Sequence, residues 1–232
     1  MENQEIISAI IKDIAQLSII DNFEIINSPT LDIRHTSFLI HCPLSNGKSI
    51  YIKILKYKNI DGKSLYQATK DENAKSLGER EYLSYDWFSK HIQTDDLKIF
   101  TLPVLAYLKK WNAIVSYELP SQDLFKSLQS THSSKDLSSS SKDLYRIGQW
   151  MRRIHENSDT EWAFTQSLDM FCHNIRAGYE HSLKALFTPQ KLAYSFGLTD
   201  FDCRDILVRN DELYCLDLCM TRDKEPQLRK VG

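Results

Sequence analysis

The segment from Leu198 to Leu218 reads LTDFDCRDILVRNDELYCLDL and places acidic residues around two short apolar runs, ILV and LYCL. The runs are rich in β-forming residues and are separated by four polar residues, which is typical of a β-hairpin. Such a hairpin brings Asp205 beside residue 216 or 217. Either register leaves Asp205 and Asp217 at the same open end, with Asp200 just upstream.

Three carboxylates gathered at one end of a hairpin repel each other unless a cation lies among them. A divalent metal with oxygen ligands is the usual solution, so the pattern predicts a metal site. The alternative is that the acids are solvated groups at strand ends with no ligand, because aspartate is common in turns.

The composition of the 232-residue chain excludes several classes of protein. A formal charge of −2 and a pI near 6.4 give no global basic field, so nonspecific nucleic-acid binding is not expected. No apolar run approaches the roughly 18 residues that a membrane span requires, and the N-terminus lacks the pattern of a signal peptide. The five cysteines include no CxxC pair and fit reduced thiols better than a zinc site. We therefore expect a cytoplasmic protein.

The hydrophobic pattern changes its period along the chain. Isoleucines at helical spacing predict an amphipathic first helix. Alternating apolar residues then predict a small antiparallel sheet with one inserted helix, and two long helices and the acidic hairpin follow. This order is typical of an α+β protein with two lobes, residues 1–120 and 121–232, and a cleft between them.

The predicted boundaries follow from turn and loop signals. Polar residues 59–76 are expected to form a loop before a helix from about Leu77 to His91, and the serine-rich residues 129–142 are expected to form a mobile connection. The strands are predicted at FEII, SFLIHC, SIYIKIL, TLPVLAYL and NAIVSYEL. The two long helices are expected to pack through Leu144, Ile147, Met151 and Ile154, and through Leu168, Phe171, Ile175, Tyr179 and Leu186.

Two charged residues occupy positions where apolar residues are expected. Alternation along SIYIKIL puts Lys53 on the same face as Tyr51 and Leu55. In the helix GEREYLSYDWF, Glu81 falls within about 80° of Tyr85 and Phe88 on the apolar stripe. An unpaired carboxylate there would cost several kcal/mol, so we predict that Glu81 pairs with Lys53. The alternative is an exposed lysine stem and a glutamate at the helix rim.

The order of these motifs resembles that of the protein-kinase-like phosphotransferases. IYIK, with Lys53, is similar to the strand lysine motif of that family, and the helix with Glu81 is similar to the helix that supplies its ion-pair partner. TDFDCRDILV, with Asp200 and Asp205, resembles the catalytic loop, and LDLCM, with Asp217, resembles the segment with the second metal ligand. The resemblance covers residues 23–220 and is strongest to aminoglycoside and other small-molecule phosphotransferases, with bacterial lipopolysaccharide sugar kinases next.

The resemblance implies a two-lobed kinase-like fold and an ATP- and Mg²⁺-dependent transfer of phosphate to a hydroxyl of a small molecule. Lys53, held by Glu81, would contact the α and β phosphates. Asp205 and Asp217 would bind Mg²⁺, and Asp200 would take the proton of the acceptor. The backbone of Tyr117, Glu118 and Leu119 would contact the adenine.

The sequence departs from the family pattern at several positions. Leu198 and Thr199 stand where the family has histidine and glycine or arginine, and Asp205 replaces the metal-binding asparagine. No glycine-rich loop is present, and only fifteen residues follow Asp217. We expect either an acceptor site built from residues 159–192 or a minimal or incomplete version of the fold. The alternative function is a catalytically impaired module that binds a nucleotide or a protein. The sequence leaves the acceptor and the oligomeric state open.

Overall fold

The computed structural model describes residues 3–20, 23–57, 62–92, 94–129, 134–156, 160–163, 191–195, 203–218 and 225–226. The chain forms two compact units. The first contains residues 1–140 and 201–219, and the second contains residues 141–200 and 220–232. The hairpin therefore belongs to the same unit as the N-terminal sheet, and the lobe boundary near residue 120 stays a prediction.

A five-stranded antiparallel sheet in the order β1-β2-β3-β6-β5 forms the centre of the first unit. Its strands are β1 (Thr30–Ile33), β2 (Ser37–Pro43), β3 (Ser49–Leu55), β5 (Val104–Leu108) and β6 (Ala113–Tyr117). The sequence predicted the first strand at FEII, which was wrong. That segment makes only an isolated bridge from Ile25 to Leu44.

The predicted first helix is confirmed as α1 (Asn3–Gln16). Its apolar stripe shares one core with the apolar face of β3, because alternation puts every second residue of that strand on the same face. The buried isoleucines are Ile6, Ile7, Ile10 and Ile14 of α1 and Ile50, Ile52 and Ile54 of β3. The opposite face of β3 carries Tyr51 and Lys53, which are only partly buried.

The polar stretch predicted as a loop contains two helices instead, α2 (Leu65–Lys70) and the start of α3 (Glu72–His91). Ser64 and Gln67 form a reciprocal capping box at α2. Asp71 caps α3 by accepting hydrogen bonds from the amides of Asn73 and Ala74. The polar residues that suggested a loop therefore satisfy the free amides of the first helical turns.

The predicted hairpin is confirmed as β10 (Ile206–Arg209) and β11 (Glu212–Cys215), preceded by a 3₁₀ turn at Cys203–Asp205. Ile206 pairs with Cys215, so the next residue outward, Asp205, faces Leu216. The hairpin lies in a second sheet of order β4-β11-β10-β7, with β4 at Ile99–Thr101 and β7 at Gln122–Asp123. Helix α4 (Leu124–Gln129) follows β7.

The serine-rich stretch is helical from Ser134 onward, because α5 runs from Ser134 to Glu156, so the prediction of a mobile connection was wrong there. Within the second unit its buried stripe contains Asp143, Arg146, Ile147, Trp150 and Ile154. Leu144, predicted to be buried, is 46% exposed, whereas Asp143 and Arg146, which form an ion pair of 2.9 Å, are buried.

The described strands of the second unit form a sheet in the order β12-β9-β8, with β8 at Thr160–Ala163, β9 at Lys191–Ser195 and β12 at Glu225–Pro226. The second predicted long helix lies outside the described residues. Among the described helices, none is long and apolar enough to span a membrane.

Helix α3 lies against the β5–β6 turn because Gly78 has no side chain. A Cβ at Gly78 would overlap Asn112 Oδ1 and lie 3.1 Å from the ring of Tyr107. Asn112 is fully buried in a left-handed conformation (φ 53°), and its Nδ2 donates to the carbonyl of Leu55 at 3.2 Å. Asn112 is therefore held in place and could not move away from an added side chain. The absence of a side chain at Gly78 thus sets the distance between α3 and the sheet.

We expect Gly78→Ala to lower the free energy of unfolding by about 1–3 kcal/mol, because the added methyl group overpacks this contact. Gly148→Ala in α5 is the matched control, since nothing lies within 4 Å of its Cβ position. That substitution should raise the free energy of unfolding by about 0.5–1 kcal/mol. Urea unfolding of both variants measures the difference, and a Gly78→Ala protein as stable as the wild type contradicts the prediction.

Candidate functional site

The ion pair predicted from the sequence is formed. The ammonium of Lys53 lies 2.9 Å from Glu81 Oε1 and 3.2 Å from Glu81 Oε2. The two side chains are 18% and 5% exposed, so the charges are largely removed from water. Strand alternation places Lys53 on the face of β3 opposite the isoleucine core. Glu81 lies on the buried stripe of α3, which faces Lys53. A buried ion pair is stable only where each charge has a partner of opposite sign.

Asp217 is the third charged residue of the site. Its Oδ1 lies 2.5 Å from the ammonium of Lys53, and its side chain is 57% exposed. It lies two residues after the end of β11 and adopts a left-handed backbone conformation with φ 50°. Such a conformation is uncommon outside glycine, although aspartate tolerates it better than most residues. One lysine therefore joins a buried carboxylate on α3 to an exposed carboxylate at the end of the hairpin.

Tyr85 completes this group, and the sequence analysis placed it only on the apolar stripe. Its side chain is buried, with 4% of the residue exposed. Its hydroxyl donates to Glu81 Oε1 at 3.4 Å. The signal available in the sequence was the residue type, because a buried tyrosine usually needs a partner for its hydroxyl.

The electrostatics of the site keep Lys53 charged. Burial alone would lower the pKa of Lys53, but the carboxylates of Glu81 and Asp217 more than offset it and raise that pKa. Burial raises the pKa of Glu81, with Asp217 adding to the effect and Lys53 opposing it. Burial also raises the pKa of Tyr85 well above its usual value, so its hydroxyl remains protonated at neutral pH.

Asp205 lies at the same end of the hairpin as Asp217. The amide of Leu216 donates to the carbonyl of Asp205 at 2.7 Å, which agrees with the first of the two predicted registers. The nearby Asp205 carboxylate contributes, after burial, to raising the pKa of Cys215. Asp200, predicted to be the catalytic base, lies outside the described residues.

The donor set at this end fits Mg²⁺. Within the described part of the chain, no group of three or more His, Cys, Asp or Glu side chains could hold a metal ion. Mg²⁺, however, is usually bound by one or two carboxylates together with substrate phosphates, and it prefers oxygen ligands. Asp205 and Asp217 supply two carboxylates, so they are the residues that could hold the ion.

The predicted adenine-binding segment, Tyr117–Leu119, begins at the last residue of β6 and is called here the β6 exit. Two of its amides already have protein partners, since that of Tyr117 donates to the carbonyl of Pro103 at 3.2 Å and that of Glu118 to the carbonyl of Ser49 at 2.8 Å. For the amide of Leu119, no acceptor is found among the described residues. Leu119 is therefore the available donor of this segment.

The side chain of Glu118 belongs to a polar cluster that the sequence analysis missed. His41 Nε2 lies 3.1 Å from Glu118 Oε2, and the hydroxyl of Tyr51 donates to Glu118 Oε1 at 3.2 Å. The rings of His41 and Tyr51 are 4.9 Å apart. Tyr51 shares the face of β3 that carries Lys53, so this cluster lies between Lys53 and the β6 exit.

Comparison with solved structures shows which fold the chain has. The macrolide 2'-phosphotransferase MphH from Brachybacterium faecium is similar over 90% of this chain and 72% of its own, at a TM-score of 0.50 and 7% identity. The similarity to a putative fructosamine-3-kinase from Thermobifida fusca covers 92% of this chain and 74% of that protein, at a TM-score of 0.48 and 12% identity. The similarity to APH(2")-IIa, in a complex with streptomycin and ATP, covers 90% of this chain and 69% of that protein, at a TM-score of 0.47 and 13% identity.

No known protein family model matches the chain, and no curated protein matches its sequence. At 7% identity, the likeness to the macrolide phosphotransferase concerns the fold alone. The chain therefore has the α+β fold of the kinase-like small-molecule phosphotransferases, which confirms the fold predicted from the sequence.

We expect Lys53→Met to lower the free energy of unfolding by about 3 kcal/mol at neutral pH, because it leaves Glu81 buried without a counterion. Without the ammonium, the pKa of Glu81 rises further. A carboxyl with a raised pKa destabilises the fold as pH rises, so the loss should be larger at pH 8 than at pH 5. Urea unfolding of the wild type and the variant at the two pH values measures this loss of unfolding free energy.

The control for that substitution is the double variant Lys53→Met/Glu81→Leu, which removes the unpaired charge. It should recover part of the lost stability and lose the pH dependence. A loss that is equal at both pH values would show that Glu81 does not depend on Lys53.

Glu118 gives a second pH-dependent prediction. Partial burial alone would raise its pKa, but hydrogen bonds from His41, Ser49 and Tyr51 more than offset this and lower it. A lowered pKa stabilises the fold above the unfolded value of about 4.3, and this stabilisation is lost as pH falls through the folded value. Glu118→Gln should therefore cost about 1 kcal/mol near pH 7. The difference from the wild type should shrink between pH 5 and pH 3, and a constant difference in unfolding experiments would contradict this account.

Proposed function

We propose that the chain is an ATP- and Mg²⁺-dependent phosphotransferase that transfers the γ-phosphate to a hydroxyl of a small molecule. The observation that carries the proposal is the position of Lys53, whose ammonium contacts the buried Glu81 at 2.9 Å and the exposed Asp217 at 2.5 Å. This arrangement lies in a fold shared with a protein named as a macrolide 2'-phosphotransferase.

Lys53 would bind the polyphosphate of the nucleotide. Its ammonium is held by a strand and a buried carboxylate rather than by a mobile loop, so little ordering is needed when a phosphate arrives. Glu81 fixes the direction of the ammonium, while the exposed Asp217 side chain shares the same cation. A lysine whose pKa is raised keeps its positive charge at every physiological pH.

Asp205 and Asp217 would hold Mg²⁺ at the end of the hairpin. The ion, when bound, would neutralise charge on the phosphates and align them for transfer. The two carboxylate ligands would come from adjacent chain segments, which the Leu216 amide holds together by donating to the Asp205 carbonyl.

Asp200 would take the proton of the acceptor hydroxyl, as the resemblance implies, from a position five residues before Asp205. The acceptor would be a small molecule such as a sugar, an aminoglycoside-like compound or another metabolite. The base of ATP would contact the β6 exit, where the amide of Leu119 is the donor that supports this placement.

A catalytically impaired module that binds a nucleotide or a protein partner is the second candidate function. Leu198 and Thr199 replace the residues that the family carries beside its catalytic aspartate. These replacements favour a site that retains binding without turnover.

We expect ATP to raise the melting temperature of the protein only when Mg²⁺ is present, and Asp217→Ala to abolish this shift because it removes a metal ligand. At a ligand concentration 100 times Kd the stabilisation amounts to about 2.7 kcal/mol. Asp211→Ala is the matched control, since Asp211 lies at the turn of the same hairpin and pairs with Lys98. Equal shifts in both variants would contradict the metal assignment.

Turnover separates the two candidate functions. For the enzyme, phosphate release or transfer to an acceptor should fall about 10²–10⁴-fold in Asp200→Asn, with the Mg²⁺-dependent shift by ATP retained. For the binding module, the shift is present and no transfer is detected in the wild type. Unchanged turnover in Asp200→Asn would show that Asp200 is not the base.

A further inference from the structure

The side chain of Glu118 connects three neighbouring strands of the first sheet. Its Oε2 lies 3.1 Å from Nε2 of His41 on β2, and its Oε1 accepts from the hydroxyl of Tyr51 on β3 at 3.2 Å. Glu118 itself comes directly after β6. His41 pairs with Tyr51 across the sheet, and Tyr51 pairs with Ser116 of β6, so the three side chains meet across adjacent strands.

Both oxygens of the Glu118 carboxylate are used in this cluster. An ionised carboxylate only accepts hydrogen bonds, so Nε2 of His41 carries the proton in its contact. Each oxygen has a donor on a different strand, and the carboxylate cannot rotate without losing both hydrogen bonds. The rings of His41 and Tyr51 lie 4.9 Å apart with their planes inclined at 38°. One carboxylate therefore fixes two aromatic side chains through their polar atoms.

The backbone of Glu118 is fixed as well. Its amide donates to the carbonyl of Ser49 at 2.8 Å, and the preceding amide, that of Tyr117, donates to the carbonyl of Pro103 at 3.2 Å. The direction in which the chain leaves β6 is therefore set from both sides of that strand. The next amide along the chain belongs to Leu119, so its position follows from that of Glu118.

The cluster lies on the face of β3 that carries Lys53, opposite the isoleucine core. The side chains of His41 and Glu118 are 29% and 31% exposed, so the cluster is accessible from this face. Tyr51 and Lys53 are two residues apart on one strand, a separation of about 6.5 Å. A nucleotide whose phosphates contact Lys53 would thus have its base end near Tyr51 and the β6 exit.

We propose that Glu118 is a positioning residue for the base of the nucleotide. Its side chain holds the rings of Tyr51 and His41 as one wall of the base site, and its backbone places the amide of Leu119. The proposal rests on the proposed function, because it concerns the base-binding part of the same site. Glu118 acts through these groups and does not contact the phosphates.

The experiment compares the full chain with Glu118→Ala, and its probes are Mg²⁺-ATP and Mg²⁺-tripolyphosphate. Tripolyphosphate has no base, so it depends on Lys53 and the metal ligands alone. Glu118→Ala should weaken the binding of ATP about tenfold in calorimetry and leave that of tripolyphosphate unchanged. Glu79→Gln is the matched control, because Glu79 pairs with Lys109 on the surface of α3 and should leave both affinities unchanged.

The conservative variant Glu118→Gln separates positioning from direct contact of the charge with the base. Glutamine keeps an oxygen that accepts from Tyr51, and its amide nitrogen can donate to His41. It should restore the affinity for ATP to within about threefold of the wild type. An affinity that stays as low as in Glu118→Ala would overturn the proposal. Equal losses for ATP and tripolyphosphate in Glu118→Ala would show a purely structural role and would also overturn it.

A double-mutant cycle in urea unfolding tests the contact without a ligand. Tyr51→Phe and Glu118→Ala remove the same hydrogen bond, so their effects on the unfolding equilibrium constant should be non-additive by about fivefold. Additive effects would overturn the proposal. If Glu118→Ala does not fold, Tyr51→Phe decides, because an unchanged ratio of ATP to tripolyphosphate affinity overturns the proposal.

These outcomes separate the proposal from the proposed function. If the wild type binds neither probe, the proposed function fails, and the double-mutant cycle alone decides whether Glu118 holds Tyr51. If the wild type binds Mg²⁺-ATP and Glu118→Ala binds it equally well, the proposed function stands and the positioning role is overturned.

Discussion

The buried charge of Lys53 is the constraint on which the candidate site depends. A lysine on the sheet face opposite the isoleucine core needs an anion, and Glu81 on α3 supplies it at 2.9 Å. This requirement fixes α3 against the sheet, where Gly78 permits close contact with Asn112. The same ammonium reaches Asp217, so the end of the hairpin is tied to the same point. Strand, helix and hairpin therefore converge on one cation.

Local sequence patterns predicted the parts of the site that depend on periodicity. Alternation in β3 and the helical stripe of α3 were sufficient to pair Lys53 with Glu81, because each pattern leaves a charged residue facing the interior. The polar turn of the hairpin limited Asp205 to two partners, and the structure has the first of them, Leu216. These predictions succeeded because each used a period of two or 3.6 residues over a short segment.

The remaining features depend on contacts between distant segments or on competing local signals. Glu118 was predicted to act through its backbone, whereas its side chain also binds His41 and Tyr51. Serines and acidic residues suggested loops where α3 and α5 are helical. At α3 the reason is that Asp71, one of these polar residues, caps the helix.

A crystal structure of the chain with Mg²⁺ and a non-hydrolysable ATP analogue tests the central claim most directly. We predict that the ammonium of Lys53 contacts the α or β phosphate while still paired with Glu81, and that the metal ion is bound by Asp217 and Asp205. A nucleotide bound elsewhere, or one whose phosphates do not contact Lys53, would contradict the account.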